Sequence, residues 1–212
     1  MKKSLFIITV VGIALLLAQS MFAQEIFDAV RNGDLAKVKE LIEKDPQLVK
    51  ARNANQSTPL HVAVDVNNES IAGYLIEKGA GVNAVNVIGW TPLFYAQNVK
   101  IARVLVEKGA DVNFNRNGAS YSDALRVALV DRRKDVAEYL IEKGAALPEI
   151  GSVWGADLLI QSLKSGSIKY LEKYEQRGFD PLYESEARSN LLHYASESDS
   201  TCLLYTSDAA DE

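Results

Sequence analysis

Side chains that could catalyse a reaction or bind a metal are few in this chain. Its 212 residues include two histidines, His61 and His193, and a single cysteine, Cys202. A protein zinc site needs three or four such ligands at close spacing, so these residues predict no metal site. No serine lies in a nucleophile elbow with a spare histidine as its base, and no glycine-rich phosphate loop is present. We therefore expect no catalysis, no metal and no cofactor in this segment.

Carboxylates are the remaining catalytic candidates, because two acids that flank a cleft can hydrolyse a glycosidic bond. Glu77, Glu107 and Glu142 each occur in a Leu-Ile/Val-Glu-Lys-Gly-Ala segment, which begins at residues 75, 105 and 140. A catalytic acid would have a setting of its own, whereas a residue copied in every recurrence of a segment is typical of an exposed helix position. The pattern thus favours a repeated surface over an active site.

The distribution of charge argues against one class of partner. The chain has a formal net charge of −5, and residues 24–201 hold 21 basic and 25 acidic residues, a net charge of −4. Nucleic-acid phosphates are bound by clustered lysines and arginines. The densest basic run here is Arg132-Arg133-Lys134, which is typical of a solvated turn. We therefore expect no binding of nucleic acid.

A second recurring segment predicts where the helices begin. Residues 58–63 read Thr-Pro-Leu-His-Val-Ala, and residues 91–96 read Thr-Pro-Leu-Phe-Tyr-Ala, 33 residues later. Threonine suits a helix N-cap and proline suits the first helical position, so each segment predicts a helix start. Apolar residues follow at helical spacing on two short helices, and a glycine suited to a left-handed conformation ends the second.

Both segments and their period resemble the ankyrin repeat, whose signature is Thr-Pro-Leu-His-x-Ala at about 33 residues. The resemblance implies an all-α solenoid of about five to six helix-turn-helix repeats with short β-hairpin fingers. The implied repeats cover about 25–52, 53–85, 86–117, 118–150 and 151–184, with an incomplete repeat at 185–201. It also implies that the histidine of the signature braces the turn beside the threonine.

Seventeen residues carry this structural motif in the sequence. They are Thr58, Pro59, Leu60, His61, Ala63, Thr91, Pro92, Leu93, Ala96, Leu125, Ala128, Leu192, His193, Gly79, Gly109, Gly144 and Gly178. The spacing departs from the pattern in the third repeat, where 18 residues separate Thr91 from Gly109, against 21 between Thr58 and Gly79. We expect a shortened turn between its two helices, near residues 97–98. Such a change could reflect ordinary evolutionary drift in a loop or, alternatively, an altered surface for a partner.

The first 23 residues have the composition of a signal peptide. Lys2 and Lys3 precede an apolar run from Leu5 to Ala18, which is shorter than the roughly 20 residues of a membrane-spanning helix. Cleavage is expected after Ala23, with cleavage after Ser20 as the second option and an uncleaved membrane anchor as the alternative. We therefore expect a periplasmic or secreted protein that is free of the membrane after cleavage.

The last residues, 202–212, carry no position of the repeat. A half repeat closes a stack poorly, because it leaves the preceding apolar face open to water. This segment resembles a translated sequencing adapter, so we expect a non-native tail and a longer natural chain. The alternative is a genuine disordered acidic terminus.

Exposed positions that differ between repeats are the candidates for binding a partner. Ankyrin-repeat proteins typically bind other proteins through the finger tips and the facing surface of the first helices. The corresponding residues here are Ala54, Asn55, Ser57, Asp65, Val66, Val87, Ile88, Trp90, Ala119, Ser120, Ser122, Val130 and Asp131. The apolar finger of the third repeat stands out, although Trp90 could instead pack between the fingers.

The sequence thus predicts a monomeric scaffold of exported bacterial type that binds another protein, whose identity is not encoded legibly. Two other functions stay open. The repeats could be the N-terminal recognition module of a longer exported enzyme with a catalytic domain beyond residue 201. They could also belong to an effector directed at a host cell.

Overall fold

The computed structural model describes residues 24–115, residues 122–148 and eight single residues between 161 and 176. The signal segment 1–23, the tail 202–212 and five of the predicted positions lie outside the described residues. Those five are Ala119, Ser120, Gly178, Leu192 and His193. The chain divides into two compact units, Met1–Asp111 and Val112–Glu212, which are described separately.

The first unit consists of short helices joined by tight turns. Residues 24–31 form α1. The later elements are α2 (Leu35–Lys44), a 3₁₀ helix (Pro46–Lys50), α3 (Pro59–Asp65), α4 (Glu69–Glu77), a second 3₁₀ helix (Pro92–Tyr95) and α5 (Val99–Glu107). In the second unit, α6 (Asp123–Val130) and α7 (Lys134–Glu142) form one further pair. These pairs confirm the expected all-α fold of helix-turn-helix repeats.

Local signals position these helices. The Thr58 hydroxyl accepts a hydrogen bond from the backbone N–H of His61 at 3.4 Å and caps α3. Asn68 and Asn98 cap the second helices α4 and α5, each by accepting a bond of 2.9 Å from a backbone N–H. Gly79 follows the last turn of α4 at φ +90°, a conformation that costs little only for a residue without a side chain.

The core lies between the helices of each pair and between neighbouring pairs. In the first unit, Leu60 and Ala63 of α3, Leu75 of α4 and Leu105 of α5 have no exposed surface. In the second unit, Leu125, Ala128 and Leu140 are buried likewise. Ile76 of α4 and Val106 of α5 are only half-buried. They follow a fully buried leucine by one residue, and a helix turns each successive side chain by about 100°.

The third repeat is short for a reason other than the one expected. Its first helix is a four-residue 3₁₀ helix, Pro92–Tyr95, where α3 has seven residues. Two residues separate that helix from the capping asparagine of the next helix in both repeats. The expectation of a shortened turn is therefore wrong, because the missing three residues belong to the helix itself.

The helix start expected at Thr91 is confirmed, because the 3₁₀ helix begins at Pro92 with Thr91 as its N-cap residue, but its capping bonds differ from those of Thr58. The Thr91 side chain makes no capping hydrogen bond. In the second repeat, His61 completes the cap by bonding back to Thr58, and Phe94 occupies the equivalent position in the third repeat. A phenyl ring cannot accept that bond, so the part of the cap that His61 supplies has no counterpart in the third repeat.

Candidate protein-binding surface

Asparagine side chains shape the two fingers of the first unit. In the third-repeat finger, Asn86 Oδ1 accepts hydrogen bonds from the backbone N–H groups of Ile88 at 3.1 Å and Trp90 at 3.0 Å. The Asn86 N–H donates to the Trp90 carbonyl at 3.1 Å and closes the loop. Asn53 organises the preceding finger in the same way, with bonds from Asn55 and Ser57. Among the described residues the fingers contain no β-strand. The expected β-hairpins are therefore absent there, and isolated hydrogen bonds close each finger.

Sequence reasoning missed both asparagines. A signal for them was present, because Asn53 and Asn86 are separated by the 33-residue period. An asparagine that bonds the backbone two and four residues ahead is typical of a tight turn. The period together with this turn chemistry identifies them as the residues that give the fingers their form.

The two fingers are joined side by side. The Val87 N–H donates to the Asn55 carbonyl at 2.9 Å. The Arg52 guanidinium donates to the carbonyls of Gln56 at 2.7 Å and Val85 at 2.6 Å, so it spans both fingers. All three bonds are accepted by backbone carbonyls of the fingers and involve no side chain of Val87 or Ile88. The tip is thus held in place before any partner binds.

The third-repeat finger presents aliphatic side chains to solvent. Val87 is 66% exposed and Ile88 is 45% exposed. Trp90 is only half-buried, and its ring makes edge-to-face contacts with Phe94 at 5.7 Å and Tyr95 at 5.4 Å between centroids. Of the two roles that the sequence leaves open for Trp90, its contacts favour packing. Val87 and Ile88 are the exposed apolar residues of the tip.

His61 links the finger to the first helix of the second repeat. Its Nδ1 accepts from the backbone N–H of Thr58 at 3.1 Å, so Nε2 carries the proton and donates to the Trp90 carbonyl at 3.0 Å. Burial lowers the pKa of His61 below its ordinary value, and the positive charge of Arg52 lowers it further, against the opposing effect of the Trp90 carbonyl. His61 is thus a neutral structural brace, and this arrangement gives it no free nitrogen for a ligand.

The pH dependence of stability should report this brace. Because the pKa of His61 is lowered on folding, the unfolded chain binds the proton more readily. The contribution of neutral His61 to the free energy of unfolding is therefore fully present above about pH 6.5, and it is lost as the pH falls towards the pKa of the folded state. Urea unfolding of the natural chain and of His61→Gln between about pH 8 and pH 5 should show a difference in free energy that shrinks on acidification. A difference that does not change with pH would contradict this assignment.

The other predicted binding positions divide into exposed and buried groups. Ala54 and Asn55 at the second-repeat finger, and Asp65 and Val66 at the end of α3, are exposed. In the second unit, Val130 and Asp131 are exposed at the end of α6. These residues are accessible to a partner.

Ser57 and Ser122 are buried, so their assignment to the candidate binding surface is corrected. Ser57 is buried because its N–H and carbonyl both bond to Asn53 at the base of the finger. Ser122 has no exposed surface, because its hydroxyl donates to the Val112 carbonyl at 2.5 Å and accepts from the Leu125 N–H at 3.2 Å. Ser57 follows the exposed Gln56 in the sequence, but the hydrogen-bonded atoms of both serines are used in local structure.

The described residues contain no group of three or more histidine, cysteine, aspartate or glutamate side chains that could hold a metal ion. Within the same residues, no helix combines the length and apolar character needed to cross a bilayer.

The paired helices, the capped first helix and the bonded fingers define a repeat module with an exposed apolar tip. Residues 26–116 match the family model of ankyrin repeats (3 copies), so this part of the chain consists of ankyrin repeats. Such repeats are in general protein–protein interaction modules, and the chain is therefore expected to have protein partners.

Proteins of several kinds are similar in sequence to this chain, and three of them are described here. Alpha-latrocrustotoxin-Lt1a of Latrodectus tredecimguttatus is 37% identical over 112 residues, which are 51% of this chain and 8% of that protein. The probable 26S proteasome regulatory subunit p28 of Saccharomyces cerevisiae is 23% identical over 179 residues, 76% of this chain and 78% of that protein. The E3 ubiquitin-protein ligase XBAT33 of Arabidopsis thaliana is 35% identical over 78 residues, 36% of this chain and 15% of that protein. The chain thus spans only a small part of the toxin and the ligase.

Proposed function

We propose that this chain is an exported scaffold of bacterial type that binds another protein as a monomer and does not catalyse a reaction. The observation that supports it best is the third-repeat finger, whose backbone is fixed by Asn86 while Val87 and Ile88 remain exposed. Interface energy concentrates in a few apolar anchors of this kind, and an anchor fixed in advance loses little entropy on binding.

Export is the part of the proposal that rests on sequence alone. The apolar run from Leu5 to Ala18 after Lys2 and Lys3 supports it. N-terminal sequencing of the chain from a periplasmic or culture fraction should begin at Gln24. A chain that retains Met1, or that is found only in the membrane fraction, would exclude cleavage.

Loss of the exposed finger side chains should weaken partner binding. We expect Val87→Ser combined with Ile88→Ser to reduce affinity at least tenfold, about 1.4 kcal/mol, for a partner retained from the native periplasm and then titrated in pure form. Helical circular dichroism should be unchanged, because neither side chain is buried. The matched control is Glu77→Ser with Glu107→Ser, exposed positions on the second helices. Equal affinity of the finger variant and the natural chain would exclude this surface.

A recognition module at the start of a longer exported enzyme is the second candidate. The similarity to a ubiquitin ligase over 15% of that protein's length favours it, because there the matching repeats are a small part of a larger protein. Sequencing the gene through and past codon 201 distinguishes the two functions. A stop codon soon after the sixth repeat supports the scaffold, and a further domain with a metal or triad motif supports the enzyme.

A further inference from the structure

The two joined fingers carry one cation. They are formed by residues 52–58 and 81–91, and Arg52 is the single formally charged residue of these two segments. Arg52 is exposed. No carboxylate of a described residue forms an ion pair with it. Its charge is therefore available to an anion that a partner supplies.

The Arg52 guanidinium is held so that one of its edges remains for a ligand. Its Nη1 donates to the carbonyls of Gln56 at 2.7 Å and Val85 at 2.6 Å, which uses both hydrogens of that nitrogen. The hydrogens of Nε and Nη2 make no bond to a described residue. These two nitrogens share one edge of the planar group, and their paired N–H donors fit the two oxygens of a carboxylate. Because the carbonyl bonds already fix the group, a ligand loses little affinity in ordering it.

Backbone bonds place this guanidinium beside the apolar finger tip. Arg52 binds the Val85 carbonyl, and two residues later the Val87 N–H donates to the Asn55 carbonyl of the other finger. Residues two apart in a chain have Cα atoms at most about 7 Å apart, so a ligand on the guanidinium can also reach Val87. Val85 is itself 37% exposed. We call Arg52, Val85, Val87 and Ile88 the arginine patch.

We propose that the arginine patch binds a partner segment in which an aspartate or glutamate side chain is flanked by aliphatic or aromatic residues. The carboxylate pairs with Arg52, and the flanking side chains cover the exposed valines and Ile88. This inference rests on the proposed function and specifies the partner. The paired charges set specificity and register and disfavour a basic segment, while the apolar contacts supply most of the affinity.

The test selects random peptides displayed on phage against the purified chain. Peptides that are fused to the coat protein through their C-termini present carboxylates only on side chains. We expect apolar peptides that carry an aspartate or a glutamate. A synthetic peptide of this class with an amidated C-terminus should lose about threefold to tenfold in affinity when the acidic residue becomes Asn or Gln.

Two protein variants locate the pairing. In Arg52→Gln the loss caused by neutralising the peptide should disappear, as in a double-mutant cycle, because no cation remains to pair with the acid. The control Arg103→Gln removes the same charge from an exposed position on the second helix α5, and it should leave that loss unchanged. Near-ultraviolet circular dichroism of Trp90 reports whether Arg52→Gln keeps the finger. If it does not, the acidic and neutral peptides compared on the natural chain decide the matter, since they need no protein variant.

Each outcome bears either on the inference or on the function beneath it. Peptides that bind the natural chain but not Val87→Ser with Ile88→Ser, and whose affinity is unchanged when the acid is neutralised, would overturn the inference alone. Selection of basic peptides would also overturn it, as would a full loss retained in Arg52→Gln. Peptides that still bind the finger variant would overturn the proposed binding surface as well. Sedimentation of the chain by itself should show a monomer, and a dimer that dissociates in the finger variant would assign the patch to a second copy and overturn the inference.

Discussion

Leu60→Ala should lower the free energy of unfolding by about 2–5 kcal/mol, the largest effect expected from a single substitution in this protein. The Leu60 side chain has no exposed surface, so truncation loses its burial and leaves a cavity. The neighbouring residues can refill that cavity only poorly, because α3 has seven residues and is fixed at its start by the cap between Thr58 and His61. Urea or thermal unfolding followed by circular dichroism measures the change.

The matched control for Leu60→Ala is Val66→Ala at the C-terminal end of the same helix. Val66 is 41% exposed, so its truncation should change the stability by less than about 0.5 kcal/mol. Repeats contact mainly their neighbours, so hydrogen exchange in Leu60→Ala should show the greatest loss of protection in α3 and the elements packed on it. A stability change below about 1 kcal/mol would contradict the assigned core position.

Trp90→Ala should reduce the stability by about 2–3 kcal/mol, less than a fully buried tryptophan because the side chain is only half-buried. The ring packs edge-to-face on Phe94 and Tyr95, at 5.7 and 5.4 Å between centroids. Its backbone carbonyl, which accepts from His61, remains available after the substitution. The loss is therefore one of packing, and chemical denaturation with near-ultraviolet circular dichroism should detect it.

Ile88→Ala is the comparison for Trp90, because it lies two residues away on the same finger. Ile88 is 45% exposed at the tip, so its truncation should leave the stability within about 0.5 kcal/mol of the natural chain. If Trp90→Ala proved equally harmless to stability and yet abolished partner binding, the role assigned to Trp90 in packing would be wrong. The pair of variants thus separates the residues that hold the finger from those that bind.

The sensitivity of these sites follows from how the repeats are stabilised. A few hydrogen bonds hold the finger to the first helix. Asn86 binds the finger backbone, His61 binds the Trp90 carbonyl, and Arg52 binds two finger carbonyls. Such a surface is rigid only while the buried positions below it are filled. The affinities of the variants should therefore be compared under conditions where each is folded to the same fraction, as determined from its unfolding curve.

Local and periodic features of this protein could be predicted from the sequence. The start of α3 at Pro59, the glycine after α4 and the buried Leu60, Leu75 and Leu105 agree with their patterns. These features depend on chain chemistry within one or two turns, such as capping, backbone conformation and helical spacing. A period of 33 residues then extends each local prediction to its copies.

The tertiary structure decided which residues are exposed and how each repeat departs from the others. The Thr91 side chain makes no capping hydrogen bond, and Phe94 cannot supply the bond that the His61 ring makes to the backbone of Thr58. The helix after Thr91 has four residues where α3 has seven. Ser57 and Ser122 are buried, although the sequence pattern predicted both to be exposed. Burial depends on which groups pack against a residue. Many of those groups belong to a neighbouring repeat, and the spacing of residues within one repeat does not determine them. For that reason the repeats could be predicted from the sequence, whereas the exposure of each candidate binding residue is given only by the fold.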